Sequence, residues 1–419
     1  MPAYDTTVCI VGAGPAGLVT AAALARTSVP FLLLDEGDGG VRESRAGVLH
    51  AGALDVLDQL GLVEPFLVQG LRLRGFRLRS GDRSVVEFGF DRLPGRFQCS
   101  LGIPQSATES LLRSALTDRG HSVLDHHRAA DLQRLNGEYV VSGERSDGEH
   151  FTVTARYVVA ADGMNSTIRA AAGIPFPGRR YEQAYVLADV DLDRHLDRTL
   201  VHISPSADGV LVVAPFPGDQ WRLIASVPAP PGNRCPEPPT RAEFDEYLSA
   251  RGRSGARVSE IGWRSSFRIH DRLADVFVRD RVALVGDAAH VHSPAGGLGM
   301  NTGIQDALDA AATIATAELS GSDEPFEGFT RRRMAAARQV SALSGRLTRT
   351  ADPISRLEWA LRRLALQTGA RLPVVRRRVA LEISCVSRAP RATGVRLPAP
   401  VPAGAPVAEK PTRKGKDRP

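Results

Sequence analysis

Lysine is almost missing from this 419-residue chain: the three present, Lys410, Lys414 and Lys416, all lie beyond residue 409. A Schiff-base lysine, a catalytic lysine and the Gly-Lys pair of a phosphate-binding loop are therefore excluded from everything before them. Cysteine is scarce as well. Cys9, Cys99, Cys235 and Cys385 are scattered with no Cys-x-x-Cys pair, which argues against a metal site, a disulfide framework and a redox-active dithiol. Cys9, inside an apolar run, reads as a small core residue. No stretch approaches the roughly 18 uninterrupted apolar residues of a membrane helix. The opening MPAYDTTVCIVGAG has neither the basic start nor the long apolar middle of a leader, so a cytoplasmic protein is expected. Net charge is absent from the body. The +6 of the whole chain equals the eight basic residues between Arg388 and Pro419 less Glu409 and Asp417. A neutral body with a basic, Pro/Ala-rich tail, expected to be disordered over 388–419, fits an enzyme with an appendage. It does not fit a nucleic-acid-binding domain or a membrane partner.

What is there is an ordered series of short elements. TTVCIVG, PAGLVTAAALART and VPFLLLDEG read as buried strand, small-residue helix and buried strand, a βαβ unit. AGALDVLDQLGL is a helix closed by Gly61, and 72–97 changes to short alternating segments that suggest a hairpin excursion. ATESLLRSALTDRG is a helix ended by Gly120, with Ser106 or Thr108 as its cap. Residues 183–227 alternate with period two, which predicts a mainly antiparallel sheet. The fold class is therefore α/β (α+β). A discontinuous Rossmann-like domain (1–71, 98–178, 274–324) carries a second, substrate-binding sheet domain (72–97, 179–273), followed by helices over 325–387. The Pro-rich PAPPGNRCPEPP is a surface loop on the second domain.

Three glycine motifs carry the chemistry. In the first, GAGPAG, Gly12 permits a tight turn, Gly14 lets a pyrophosphate approach the backbone, and Gly17 lets helix and strand pack closely. Pro15 and Ala16 open the helix whose N-terminus faces the phosphates. Asp35, 18 residues past Gly17 and followed by Glu36, ends the next strand, where an acid can hold an adenosine ribose hydroxyl. This predicts dinucleotide binding without separating FAD from NAD. The second motif, RYVVAADGMNSTIR, places Asp162 and Gly163 at the carboxyl end of a strand, as a ligand contact or as a helix cap. In the third, Gly286 and Asp287 end RVALVG. The loop SPAGGLG then leads into a small-residue helix starting near Met300 and Asn301. That helix N-terminus would stabilise an electron-rich ring edge by roughly 0.3–1 kcal/mol.

GAGPAG, SRAGVLHAGALDVLDQLGL, PQSATESLL, ADGMNSTIR and GDAAHVHSPAGGLGMNTGIQDA occur in the order and at roughly the spacing of a known family. Together they resemble the single-component (class A) flavoprotein aromatic hydroxylases, the para-hydroxybenzoate hydroxylase group, and within it the branch acting on polyketides and other antibiotics. The likeness covers about residues 5–385. It implies FAD as cofactor and NADPH (or NADH) as a transient co-substrate. It implies that Asp287 binds the ribitol hydroxyls and that the loop from Pro294 through Gly297, Gly299 and Met300 to Asn301 lies along the isoalloxazine. Gln105 would contact the FAD, Arg45 would sit near the pyrophosphate, and Asp162 would serve both FAD and NADPH. One departure is Asp35, where Glu is more usual. Longer relatives add a thioredoxin-like domain, which this chain is expected to lack.

The implied reaction adds O2 to reduced flavin at C4a and transfers one oxygen atom to an electron-rich aromatic substrate, here expected to be a bulky polycyclic phenol. His202, Arg222, Arg264 and Arg268 on the second sheet are the candidates for favouring its phenolate, and Pro294 is expected to line the flavin face through its carbonyl. His290 reads as structural or near the flavin phosphates; His292 stays open. A halogenase would need an active-site lysine and a Trp-x-Trp signature, yet Trp221, Trp263 and Trp359 stand alone. An FAD reductase or dehydrogenase, a non-catalytic FAD protein, and biosynthetic, antibiotic-inactivating or Baeyer–Villiger roles remain open.

Overall fold

The computed structural model describes residues 2–40, 46–80, 83–194, 196–232, 234–252, 255–349, 368, 372–389 and 396–397. Most of the basic tail, and Arg45, lie outside them.

The chain opens with β1 (Ala3–Val11), α1 (Pro15–Leu24) and β2 (Phe31–Leu34). Pro15 occupies the first helical position, where its missing N–H costs nothing. The small side chains of α1 let it sink until every residue from Gly17 to Leu24 is buried. Then come β3 (Val48–Leu49), α2 (Ala51–Gln59), α3 (Val63–Gln69) and β4 (Leu71–Leu73), with Gly61 at φ +67° turning the chain after α2. β5 (Gly75–Ser80) and β6 (Arg83–Gly89) pair as a hairpin before β7 (Ser100–Gly102) and α4 (Gln105–Thr117). Neither Ser106 nor Thr108 caps α4. Pro104, with φ fixed near the helical value, starts the helix one residue earlier than Ser106, and the Thr108 hydroxyl donates to the Pro104 carbonyl.

β8 (Val123–Leu124), β9 (His127–Leu135), β10 (Glu138–Arg145), β11 (His150–Ala160) and the short α5 (Thr167–Ala171) complete the first half. The alternating region forms β12 (Gly178–Leu192), β13 (Leu200–Ser206), β14 (Gly209–Pro215) and β15 (Gln220–Pro228). After it come α6 (Arg241–Tyr247), β16 (Val258–Leu273), β17 (Val278–Arg279), β18 (Val282–Leu284), β19 (His290–Val291), α7 (Gly299–Ser320), α8 (Pro325–Arg349) and a helix at Pro373–Ile383. Among the described residues no helix is long and apolar enough to cross a membrane, and no group of three or more His, Cys, Asp or Glu could hold a metal ion.

The fold is α/β, with two large sheets. In the first, the order is β17-β18-β11-β1-β2-β8, with β10 and β9 added antiparallel beside β11. β1 runs parallel to both β11 and β2, and β11 runs parallel to β18. The second has the order β19-β16-β12-β15-β14-β13-β5-β6. It is antiparallel except where β13 lies parallel to β5. One face, carrying Val186, Ala188, Val213 and Leu223, closes on Phe244 of α6 and on Leu248. The opposite face carries Tyr185, Ile203, Val212, Ile224 and Phe267. Near β13 and β5 it merges with the core of the first domain through Val201, Ile203, Phe76 and Leu78. That face therefore looks toward the glycine motifs.

A buried ionic cluster ties α7 to α8. Asp306, wholly inaccessible, accepts from Arg333 Nε and from His290 Nε2, each at 2.6 Å, and from Gly286 N–H at 3.3 Å. Burial opposes its charge, but the neighbouring Arg333 and His290 prevail and hold the carboxyl below its usual 3.8. Removing one member strands the others: Asp306→Ala is expected to cost about 3–5 kcal/mol in urea denaturation at pH 7. Because the folded pKa is depressed, this stabilisation is complete above about pH 4 and disappears as pH falls through the folded value, so wild type and variant should converge in acid.

Candidate functional site

β2, β1, β11 and β18 are neighbours, parallel, and end on one edge, so the chain delivers Asp35, the Gly12–Gly17 turn, Asp162 and Asp287 side by side. Two of the turns touch backbone to backbone, and a third packs against the Ala16 methyl group. A Cβ on Gly12 (φ +101°) would lie 2.4 Å from the Ala161 carbonyl oxygen and 2.8 Å from Asp162 N, and one on Gly286 (φ +58°) would lie 3.0 Å from Ala16 Cβ. Gly14 differs, because a Cβ there meets nothing within 4 Å. Its open side faces outward at the N-terminus of α1, which has no side-chain cap to occupy its free N–H groups.

The acids at this edge are held in three ways. Asp35 is buried; its Oδ2 accepts from Ala13 N–H at 2.6 Å and its Oδ1 from Gly37 N–H at 2.8 Å, so it braces the glycine turn, while Glu36 beside it is exposed. Asp162 Oδ2 caps α5 through Ile168 N–H at 3.2 Å, with Ser166 as the N-cap residue. Asp162 Oδ1 is buried with no partner, and burial raises the carboxyl pKa above its usual value. The cap and ligand readings of this residue are thus compatible, one oxygen each. Asp287 stands exposed in a one-turn 3-10 segment, Gly286–Ala288. Arg169 links the two turns by donating to the Ala288 and Met164 carbonyls.

The loop from Pro294 to Asn301 is held by Asn301, which the sequence singled out, and by His50, which it did not. Its glycines bend it, Gly296 at φ +91° and Gly297 at φ +65°. His50, at the start of α2, bonds through Nε2 to the Gly296 carbonyl at 2.8 Å and through Nδ1 to Ser100 Oγ at 2.9 Å. A carbonyl can only accept, so the proton sits on Nε2 and Ser100 donates to Nδ1. Burial pushes the His50 pKa down to about 4, which keeps the ring neutral. Asn301 Oδ1 accepts from His50 N–H at 2.7 Å, and its amide donates to the Val48 and Gly297 carbonyls. The N-terminus of α7, at Gly299 and Met300, has no side-chain cap. His292 beside Gly299 is likewise lowered to about 4 by burial. Gln105 ties the neighbouring loop, accepting from Ala46 N–H at 3.3 Å. The single cue to His50 was its place inside a motif block.

The four second-sheet candidates do not come together. Arg222 is 1 % exposed and forked onto Asp189 at 2.7 and 2.8 Å; it lies against the Phe216 and Trp263 rings and donates to the Ala46 carbonyl at 3.0 Å. His202 sits opposite Val213, on the face covered by α6, and its Nε2 bonds to the Asp197 carbonyl at 2.8 Å. Arg264 and Arg268 hold the Pro-rich loop through the Pro239 and Pro230 carbonyls. Arg222 thus fixes the loop at Ala46, whereas His202, Arg264 and Arg268 face away from the glycine motifs. His290 belongs to the buried cluster.

These residues fit FAD: an open glycine, two uncapped helix ends, an orphaned buried carboxylate oxygen and an exposed acid share one edge. The family described as "FAD binding domain" matches residues 5–344. A 6-methylpretetramide 4-monooxygenase of Streptomyces rimosus is 34% identical over 371 residues, covering 86% of this chain and 64% of that protein. The chain thus spans just under two thirds of that relative's length. A second protein of the same name and organism is 30% identical over 397 residues, covering 90% and 89%. Among solved structures, OxyS anhydrotetracycline hydroxylase from Streptomyces rimosus superposes with a TM-score of 0.75 at 28% identity, over 94% of this chain and 77% of that one.

Two outcomes follow from this geometry. If Asp287 holds the ribitol hydroxyls, as the family resemblance implies, Asp287→Ala protein should purify largely colourless, measured by the ratio of flavin absorbance near 450 nm to protein absorbance. His50 has a folded pKa below its unfolded value of about 6.5, so its share of stability is complete above that pH and is lost as pH falls toward about 4. The drop in melting temperature between pH 7 and pH 5 should therefore be smaller in His50→Gln than in wild type.

Proposed function

The chain belongs to the FAD-binding domain family, and from that premise we propose an FAD-dependent monooxygenase that uses NAD(P)H and O2 to hydroxylate a bulky, polycyclic phenol. The observation that supports it most is the second sheet's inward face. Ile203, Val212, Ile224 and Phe267, with Tyr181, form an apolar cluster whose members stay half-buried on the side turned toward the glycine motifs. An apolar wall of this kind suits fused aromatic rings better than a small carboxylic acid. Relatives named as a 6-methylpretetramide monooxygenase and an anhydrotetracycline hydroxylase agree with that substrate class.

Bound FAD supplies the exchange of electrons with NAD(P)H and the activation of O2. The protein's share is binding and orientation. The free N–H groups of α1, at the open side of Gly14, would hold the pyrophosphate, and Asp287 would hold the sugar-alcohol hydroxyls. The orphaned Asp162 oxygen would accept from a ligand hydroxyl or amide. The α7 N-terminus would supply partial positive charge beside the ring system, and the Pro294 carbonyl would line it. His50 and Asn301 hold that loop in shape, and Arg222 holds the facing loop at Ala46. Neutral His50 and the ion-paired Arg222 are positioning residues in this scheme. With a single dinucleotide fingerprint in the chain, the nicotinamide visits without a Rossmann unit of its own.

The test is NADPH oxidation by the yellow protein with polycyclic phenols, in air and under argon, followed by mass spectrometry. Substrate-stimulated oxidation in air with a product heavier by one oxygen atom, and none under argon, is expected. A product that still forms under argon would move the protein to the reductases or dehydrogenases.

A further inference from the structure

The inward wall of the second sheet ends in a cleft of about 580 Å³ between α8 and the paired ends of β12 and β16, within the size range of small-molecule sites. Arg179, Arg338, Arg346 and Arg349 line it, with Asp271 as the one carboxylate among the described lining residues. Asp271 has its oxygens occupied. Ser341 Oγ donates to Oδ1, Tyr181 O–H donates to Oδ2 at 3.4 Å, and Arg179 Nε stands 3.8 Å from Oδ2. Arg346 Nη2 stands 4.0 Å from Glu382 while its Nε donates to the Ala342 carbonyl, and Arg338 makes no ion pair among the described residues. Arg338, without an ion pair among the described residues, and Arg346, with one long contact to a carboxylate, can form a seat for an anion, since each guanidinium can donate two parallel hydrogen bonds to a planar oxyanion.

The cleft is continuous with the apolar wall. Tyr181 packs against the wall's cluster and donates to Asp271, which lines the cleft. Gly345 of α8 leaves room for it: a Cβ there would stand 3.3 Å from Tyr181 Oη. The same turn of α8 touches the loop proposed to carry the flavin. Thr348 Oγ1 bonds Ser293 Oγ, and Leu347 lies beside Gly296. Apolar wall, basic cleft and flavin loop therefore meet around one end of α8.

We propose that this cleft is a specificity site that takes an anionic oxygen substituent, a carboxylate, of the polycyclic substrate whose rings lie on the apolar wall, with Arg338 and Arg346 as its main contacts. This rests on the monooxygenase reading for the substrate, while the site itself is defined by binding. A phosphate of NADPH offers the same chemistry, so the test separates the two sources.

The experiment is equilibrium binding to the FAD-loaded protein without NADPH, so that turnover plays no part. Anthracene-9-carboxylate, a fluorescent tricyclic acid, is compared with its neutral methyl ester and with NADP+. Wild type should bind the acid about tenfold more tightly than the ester, in keeping with charge-assisted hydrogen bonds from two guanidiniums. The double variant Arg338→Gln, Arg346→Gln should lose that preference while keeping its ester affinity, its NADP+ affinity and its flavin. Equal binding of acid and ester by wild type, which needs no variant, overturns the proposal. So does a variant that still prefers the acid, or one that weakens NADP+ instead. Aerobic turnover of neutral phenols by a protein without acid preference would leave the monooxygenase reading standing and remove this site.

Discussion

Where α1 leaves β1, a Cβ on Gly17 would sit 1.8 Å from the Gly12 carbonyl oxygen, and one on Gly12 would run into the backbone at Ala161. Side chains at these points would force the turns apart by more than a hydrogen bond tolerates. Because they are absent, three turns separated by well over a hundred residues can share one edge, and Gly286 meets Ala16 on the same terms. The four acids and the two uncapped helix ends inherit their places from that contact. Asp35 shows the dependence most directly, since its carboxylate is used to brace Ala13 within the turn.

The interior polar groups extend this order outward. Asp306 joins the turn at Gly286 to α8 through Arg333, and Arg333 donates onward to the Arg388 carbonyl. His50 and Asn301 perform the same service for the Gly296–Gly297 bend, with neutral groups in place of charges. Arginine does most of the remaining work, as expected in a chain whose described part contains no lysine. Arg169 ties two turns, Arg222 ties sheet to loop, and Arg264 and Arg268 pin the Pro-rich loop. Against that pattern, Arg338 has no ion pair among the described residues.

The βαβ unit, the three motif strands and the switch to period-two alternation were legible because each is a local pattern with one dominant physical cause. Strand order was not legible in the same way. The parallel pairing of β13 with β5 joins residues more than a hundred apart, and nothing local announces it. Side-chain partners were harder still. His202 and Arg222 both lie on alternating strands, and which face each occupies follows from register, which a one-residue shift would invert. His50 was hidden for a related reason: its partners, Ser100 and Gly296, come from distant segments, and a lone histidine before a helix carries no periodic signature. The start of α4 was misplaced because the helix begins at Gln105 after Pro104 with no side-chain cap, so a search for a capping hydroxyl pointed to the wrong residues.

The strand order also governs how the molecule comes into being. β1 lies between β2 and β11, and β11 needs β18, whose last residue, Leu284, follows Val11 by 273 positions. At ribosomal speeds of about 5–20 residues per second, the apolar stretch Val8–Val11 waits roughly 14 to 55 s before the last of these strands exists. During that interval α1 and β2 shelter it first, and its second neighbour β11 becomes available only once Ala160 has been made. Assembly of the cofactor edge is therefore a late event of synthesis, and the nascent chain spends most of its lifetime on the ribosome as a candidate for chaperone binding.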